Sequence, residues 1–95
     1  MNSPGLQQLD FRFVRMADAC RITKLTPSNL KKIRLTPDSP LVAGLHYERI
    51  NARTIVYRHA LIEHWAAHRY EPIVHLNWCD RIAPLLEAHK SGLTA

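Results

Sequence analysis

Residues 25–35 read Leu-Thr-Pro-Ser-Asn-Leu-Lys-Lys-Ile-Arg-Leu, and this stretch decides the fold class. Thr26 followed by Pro27 is a helix-start signal, because the threonine side chain can cap the helix and proline has no N–H to leave unsatisfied. Two apolar residues three positions apart form the inward face, which leaves the basic and amide residues on the outside. The sequence therefore predicts a helix from Pro27 to Arg34 that displays basic side chains to solvent.

Short elements flank this helix on both sides. In chain order, the sequence predicts a strand at Phe11–Arg15, a helix from about Met16 to Ile22, the basic helix, strands at His46–Ile50 and Thr54–Tyr57, and a helix from about Arg58 to Arg69. Beyond Pro72 we expect a short extended segment, followed by a helix that begins at Asn77 or Asp80. A longer helix is disfavoured there because Pro84 would lie in its interior.

Charge is concentrated in the middle of the chain. The net charge of the 95 residues is +5, but the segment from Arg21 to Arg58 holds eight basic and two acidic side chains, a net charge of +6. The segments before and after it are close to neutral. A localised excess of lysine and arginine is typical of a surface that binds a polyanion.

Length and composition exclude several classes of protein. A chain of 95 residues forms one domain and is too short for most enzyme clefts, so we expect no catalytic activity and no cofactor. His64 and His68 have the i, i+4 spacing of a metal-binding pair, but no third ligand is evident in the sequence, so we predict no metal site. The first residues do not have the pattern of a leader, and no apolar run reaches about 18 residues, so we expect a cytoplasmic, nucleoid-associated protein that does not contact a membrane.

The order of elements predicts a small α+β winged helix-turn-helix domain with three helices, a two- to three-stranded wing sheet and a C-terminal apolar extension. The chain resembles the excisionase branch of the MerR-like DNA-binding superfamily over residues 11–69. The resemblance lies in Met16-Ala17-Asp18-Ala19-Cys20, Leu25-Thr26-Pro27-Ser28-Asn29-Leu30, Pro40-Leu41-Val42-Ala43-Gly44-Leu45-His46-Tyr47, Arg53-Thr54-Ile55-Val56-Tyr57 and Ala60-Leu61-Ile62-Glu63-His64-Trp65. We therefore predict a disordered N-terminus at 1–10, a DNA-binding domain at 11–69 and an assembly tail at 70–95.

The resemblance implies that the basic helix enters the major groove of double-stranded DNA. Its DNA-binding residues are predicted to be Thr26, Ser28, Asn29, Lys31, Lys32 and Arg34. Asparagine can make a bidentate pair with adenine, whereas lysine and arginine more often contact phosphates. From the wing and the turn between the first two helices, the predicted contacts are Arg49, Asn51, Arg53, Arg21 and Lys24.

The last segment carries more apolar residues than a polar tail would. The large apolar side chains are Ile73, Val74, Leu76, Trp78, Ile82, Leu85 and Leu86. Each stabilises the protein by about 1.5–3 kcal/mol if it is buried, either on its own domain or on a second copy. The resemblance favours the second copy, because excisionases commonly bind DNA cooperatively in head-to-tail rows.

The resemblance implies a non-catalytic excisionase, or recombination directionality factor, of a phage or other mobile element. Such a factor loads cooperatively on attachment-site DNA, bends it and directs a tyrosine integrase towards excision, and it can also regulate transcription. Two alternatives share the fold: a transcription regulator without a recombination role, and the small DNA-recognition subunit of a packaging terminase. A further alternative is a module whose basic face binds an acidic protein.

Overall fold

A computed structural model describes residues 9–90 of the chain. This part is an α+β fold with four helices and a three-stranded antiparallel sheet. The elements in chain order are β1 (Phe13–Val14), α1 (Met16–Thr23), α2 (Pro27–Leu35), β2 (Tyr47–Asn51), β3 (Thr54–Arg58), α3 (His59–Ala67) and α4 (Pro72–Lys90). The α+β class is confirmed, and the order of elements up to α3 agrees with the sequence prediction.

A tight turn joins α1 to α2. Lys24 ends α1 in the left-handed conformation, with φ of 61°, and the Thr23 hydroxyl donates to the Ala19 carbonyl at 2.8 Å. Two residues later the Thr26 hydroxyl accepts a hydrogen bond from the Asn29 N–H at 3.1 Å, which caps α2. The predicted threonine–proline start of the basic helix is therefore confirmed.

The sheet has the order β1-β3-β2, so β3 lies in the centre. Tyr57 on β3 pairs with Val14 on one side and with Tyr47 on the other. The hairpin between β2 and β3 contains an irregularity in register between Arg49 and Asn51, and two residues, Ala52 and Arg53, connect the strands. The first strand is shorter than predicted.

Two clusters of buried side chains hold the fold together. The first lies between α1, α2, α3 and the sheet and contains Val14, Ala19, Leu30, Leu41, Tyr57, Ile62 and Trp65. The second lies where α3 meets α4 and contains Phe11, Ala60, Leu61, Cys79, Ile82 and Leu86. The second cluster exists because α4 packs against the rest of the same chain.

The C-terminal prediction is wrong in its secondary structure. Residues 73–76 are helical rather than extended, and α4 runs without interruption from Pro72 through Pro84 to Lys90. Pro72 lies in the first turn, where its missing N–H is tolerated. Residues 1–8 of the predicted disordered N-terminus lie outside the described part, whereas Asp10 is held by a hydrogen bond from the Ala60 N–H at 2.8 Å. No helix within 9–90 is both long enough and apolar enough to cross a membrane.

Candidate nucleic-acid interface

Helix α2 presents one apolar and one polar face. Leu30 is fully buried in the first core cluster, and Ile33 packs against that cluster. Five of the six residues that the sequence predicts as DNA contacts here are exposed; Arg34 is the exception. The exposed residues are Thr26, Ser28, Asn29, Lys31 and Lys32. Because the capping bond uses the Asn29 main-chain N–H, the amide side chain of this residue is free to contact a ligand.

A groove separates α2 from the β2–β3 hairpin. Its volume is about 610 Å³, and we call it the basic groove because the residues that line it include Lys31 from α2, Arg49 and Arg53 from the hairpin, and Arg15 from the start of α1. All four of these side chains are exposed. Cations from three segments therefore surround one open cleft.

The tip of the hairpin is held by its own hydrogen bonds. The Arg53 N–H donates to the Asn51 side-chain oxygen at 2.9 Å, and the Arg49 guanidinium donates to the Ala52 carbonyl at 3.3 Å. The Asn51 side chain thus stabilises the turn, and the charged ends of both arginines remain in solvent. The tip is therefore ordered by its own contacts, and it carries two exposed cations beside the basic groove.

Arg34 differs from the other predicted contacts on α2. Its side chain is 8% exposed, its Nε donates to the Tyr57 hydroxyl at 3.2 Å, and its guanidinium lies 5.4 Å from the centre of the Tyr47 ring. Arg34 is also one of the residues that line the basic groove. We therefore assign Arg34 to holding α2 against the sheet, and we leave it out of the proposed DNA contacts.

The turn between α1 and α2 contributes two further exposed cations, Arg21 and Lys24. Arg21 is paired with Asp18 one turn earlier, so its charge is partly compensated. Arg15 was not among the predicted contacts, yet it lines the basic groove and also a second groove beside α1 and β1. No local signal marked this residue, because its segment is neutral overall and only the fold brings it to α2.

The apolar residues predicted to mediate assembly fall into two groups. Ile82 and Leu86 are buried in the second core cluster, and Trp78 and Leu85 pack against it. Ile73, Val74 and Leu76 are exposed on the first turns of α4. The three residues of this second group are the exposed ones among the seven.

The histidines form a cluster that the sequence did not reveal. The rings of His64 and His68 are tilted against each other with their centres 4.4 Å apart, but the Nδ1 atom of His64 is 2.9 Å from that of His75 on α4. On the opposite side of the His75 ring, Nε2 lies 2.7 Å from Nε2 of His46. The same Nε2 atom of His75 lies 3.5 Å from the Cys79 sulfur.

His46, His75 and Cys79 are the described residues whose ligand atoms lie close enough to suggest a metal ion, all within 4.8 Å of one another. Two imidazole nitrogens on one tetrahedral zinc lie about 3.3 Å apart, from zinc–nitrogen distances of about 2.0 Å. The observed 2.7 Å is instead a hydrogen bond. Nδ1 of His46 accepts the Val42 N–H at 3.0 Å, so the proton of this neutral ring is on Nε2, the atom that would bind the metal. The geometry therefore does not fit a metal centre.

Comparisons with protein-family models, with curated proteins and with solved structures find no match to this chain. The side chains around the basic groove and their chemistry are therefore the basis for a functional proposal.

Proposed function

We propose that the protein binds double-stranded DNA as a winged helix-turn-helix module, with α2 in the major groove and the β2–β3 hairpin at the adjacent minor groove. The observation that carries this proposal is the basic groove, around which exposed cations from α2 and the hairpin lie on one surface. The major groove is about 12 Å wide and admits one α-helix. Arginine at a hairpin tip is suited to a narrow minor groove, where the negative potential is enhanced.

The exposed side chains of α2 favour DNA over an acidic protein as the partner. Lys31 and Lys32 supply charges for phosphates, and Asn29 supplies an amide that can donate and accept hydrogen bonds at a base edge. Both types of group lie on the solvent face of one capped helix. Binding to acidic proteins but to no DNA would contradict the proposal.

The narrower role that we propose is that of an excisionase acting with a tyrosine integrase on attachment-site DNA. It is supported by the sequence resemblance over 11–69 and by the exposed apolar residues of α4. A transcription regulator and a terminase small subunit would use the same surface. Excision of a mobile element by purified integrase separates the roles, because only an excisionase makes this reaction depend on the protein.

The test of DNA binding uses single substitutions on α2. Lys31→Ala and Lys32→Ala are each expected to weaken binding to all duplexes and to lower the slope of log affinity against log salt by about 0.9, the loss of one phosphate contact. Asn29→Ala is expected to weaken binding to a selected site by about 1–3 kcal/mol relative to an unrelated duplex, and to leave the helix cap in place. Affinities at several salt concentrations measure both effects.

The matched control for this experiment is Arg81→Ala, which removes an exposed cation from α4 without touching the basic groove. Its affinity and salt slope are expected to equal those of the wild type. If Lys31→Ala, Lys32→Ala and Asn29→Ala also bind as the wild type does, α2 does not contact DNA.

We further propose that copies of the protein associate on DNA through the exposed apolar residues of α4. Ile73 and Leu76 are 64% and 57% exposed, one turn apart on the helix. Ile73→Asp is expected to bind a single site with wild-type affinity but to lose cooperative loading on a duplex with several sites. Gel shifts on duplexes with one and three sites measure this, and cooperative loading by Ile73→Asp would contradict it.

A further inference from the structure

Three histidines from three segments form one hydrogen-bonded chain, which we call the histidine chain. His46 lies in the turn before β2, His64 on α3 and His75 on α4. His75 is in the middle, bonded through Nε2 to His46 at 2.7 Å and through Nδ1 to His64 at 2.9 Å. His46 and His75 are buried, and the His64 ring stacks on Trp78 of α4 with ring centres 4.0 Å apart.

One backbone hydrogen bond determines which nitrogen carries the proton in each ring of the histidine chain. The Val42 N–H donates to Nδ1 of His46 at 3.0 Å, so the proton of that ring is on Nε2. His46 therefore donates to Nε2 of His75, and the proton of His75 is on Nδ1. His75 in turn donates to Nδ1 of His64, which leaves the His64 proton on Nε2. All three rings are neutral in this arrangement.

An additional proton cannot be placed on these bonded nitrogens without setting one donor against another. A proton on Nδ1 of His46 would face the Val42 N–H, and one on Nε2 of His75 would face the His46 N–H. A proton on Nδ1 of His64 would face the His75 N–H. Reversing the whole chain does not help, because it also places a proton opposite Val42.

The pKa directions agree with this geometry. Burial lowers the pKa of His46 to about 3, and repulsion between the protonated forms of His46 and His75 adds to the effect. Burial lowers the pKa of His64 to about 4, and repulsion from protonated His68 and His75 adds to it. The pKa of His75 is also lowered, mainly by burial and then by repulsion from protonated His68.

We propose that the histidine chain is an acid-sensitive latch, which holds α4 against α3 and the turn before β2 at neutral pH and lets α4 detach as the pH falls. Detachment breaks the bonds of His75 to both neighbours and opens the second core cluster, to which α4 contributes Cys79, Ile82 and Leu86. The first core cluster contains no residue of α4 and can persist. His46 adjoins Tyr47 on β2, so the latch also connects α4 to the hairpin.

Other titratable and charged groups near the histidine chain come from each of the elements that pack against it. They are Cys79, Glu71 and Asp80 on or next to α4, His68 and Arg69 after α3, and Asp38 in the loop after α2. Glu71 is bonded to His68 at 3.1 Å. Burial raises the pKa of the Cys79 thiol to about 11, so the thiol stays neutral through the acidic range.

The sign and size of the effect follow from proton linkage. Because the folded pKa values lie below the ordinary value of 6.5, docking of α4 is fully favoured above about pH 6.5 and is weakened progressively as the pH falls towards 4. Three histidines that gain protons on release increase the release constant on the order of 10⁴-fold between pH 7.5 and pH 5.0.

Hydrogen exchange of the full chain, corrected for intrinsic rates, tests the latch. Between pH 6 and pH 5 the logarithm of the α4 opening constant is expected to rise with a slope of about 2.7 per pH unit, about 0.9 from each histidine. Amides of α1 and α2 are expected to show a smaller slope. His75→Gln is expected to lower the α4 slope to about two, because glutamine does not titrate.

Two further variants keep the test decisive. His64→Gln removes the partly buried end of the chain, is less disruptive than a change at His75, and is expected to lower the slope by about 0.9 as well. His89→Gln removes an exposed histidine of α4 and is expected to leave the slope unchanged. A wild-type slope of one or less, a slope unaffected by His75→Gln and His64→Gln, or α4 protection that responds to Zn²⁺ and EDTA at pH 7.5 would overturn the proposal.

Discussion

Arg58→Ala is expected to lower the free energy of unfolding by about 3–5 kcal/mol. The Arg58 side chain is only 2% exposed and donates hydrogen bonds to the Leu45 and Phe11 carbonyls, each at 3.2 Å. Its guanidinium also lies 4.3 Å from the centre of the Phe13 ring and 3.4 Å from a Glu48 carboxylate oxygen. Alanine leaves two acceptors without this donor, at about 1–3 kcal/mol each, and a cavity in place of the side chain.

Urea unfolding followed by circular dichroism measures this loss as a shift in the transition midpoint at constant slope. The matched control is Arg53→Ala, which removes an exposed arginine at the tip of the same hairpin and is expected to change stability by less than about 0.5 kcal/mol. If Arg58→Ala were as stable as Arg53→Ala, the bonds of Arg58 to the N-terminal segment and the turn before β2 would not support the fold.

The two buried arginines, Arg34 and Arg58, show that a count of charges along the sequence does not give the charge at the surface. Six of the eight basic residues between Arg21 and Arg58 are exposed, but the charge count also includes Arg34 and Arg58, which the fold buries. Local sequence gives the charge of a residue and not its exposure. Both side chains are buried because they bond to partners distant in sequence, Tyr57 for Arg34 and Phe11 for Arg58.

Local signals were sufficient for α2, because a threonine cap and a proline at the first helical position act within the helix itself. They were misleading for α4, where a β-branched run and an internal proline favour an extended segment. The buried residues of α4 include His75, Cys79, Ile82 and Leu86, with the spacing of a helical stripe. Half of this stripe is histidine and cysteine, which a search for large apolar residues overlooks.

The histidine chain could not be predicted from the sequence, for a related reason. Its members come from the turn before β2, from α3 and from α4, so no short motif contains them. The pair that the sequence did single out, His64 and His68, spans the end of α3, where His68 already lies outside the helix. The hydrogen bond of His64 goes instead to His75 on α4. The tertiary fold determines that His64 bonds to His75. It also places the Val42 N–H against Nδ1 of His46, so that the proton of His46 lies on the nitrogen that would bind a metal.

Ile82→Ala is expected to destabilise the protein by about 2–5 kcal/mol, because Ile82 is fully buried in the second core cluster. Leu76→Ala is the matched control on the same helix. It truncates an exposed side chain and is expected to change stability by less than about 0.5 kcal/mol. Urea unfolding of both variants against the wild type measures the difference.

The same experiment distinguishes docking of α4 on its own chain from docking on a second copy. If α4 packs within its own chain, the unfolding midpoint of the wild type is independent of protein concentration, since folding is then unimolecular. If α4 were exchanged between two copies, the midpoint would rise with concentration, because association would contribute to stability. A constant midpoint over a hundredfold dilution, combined with a loss at Ile82 but not at Leu76, would leave only the exposed turns of α4 to contact another molecule.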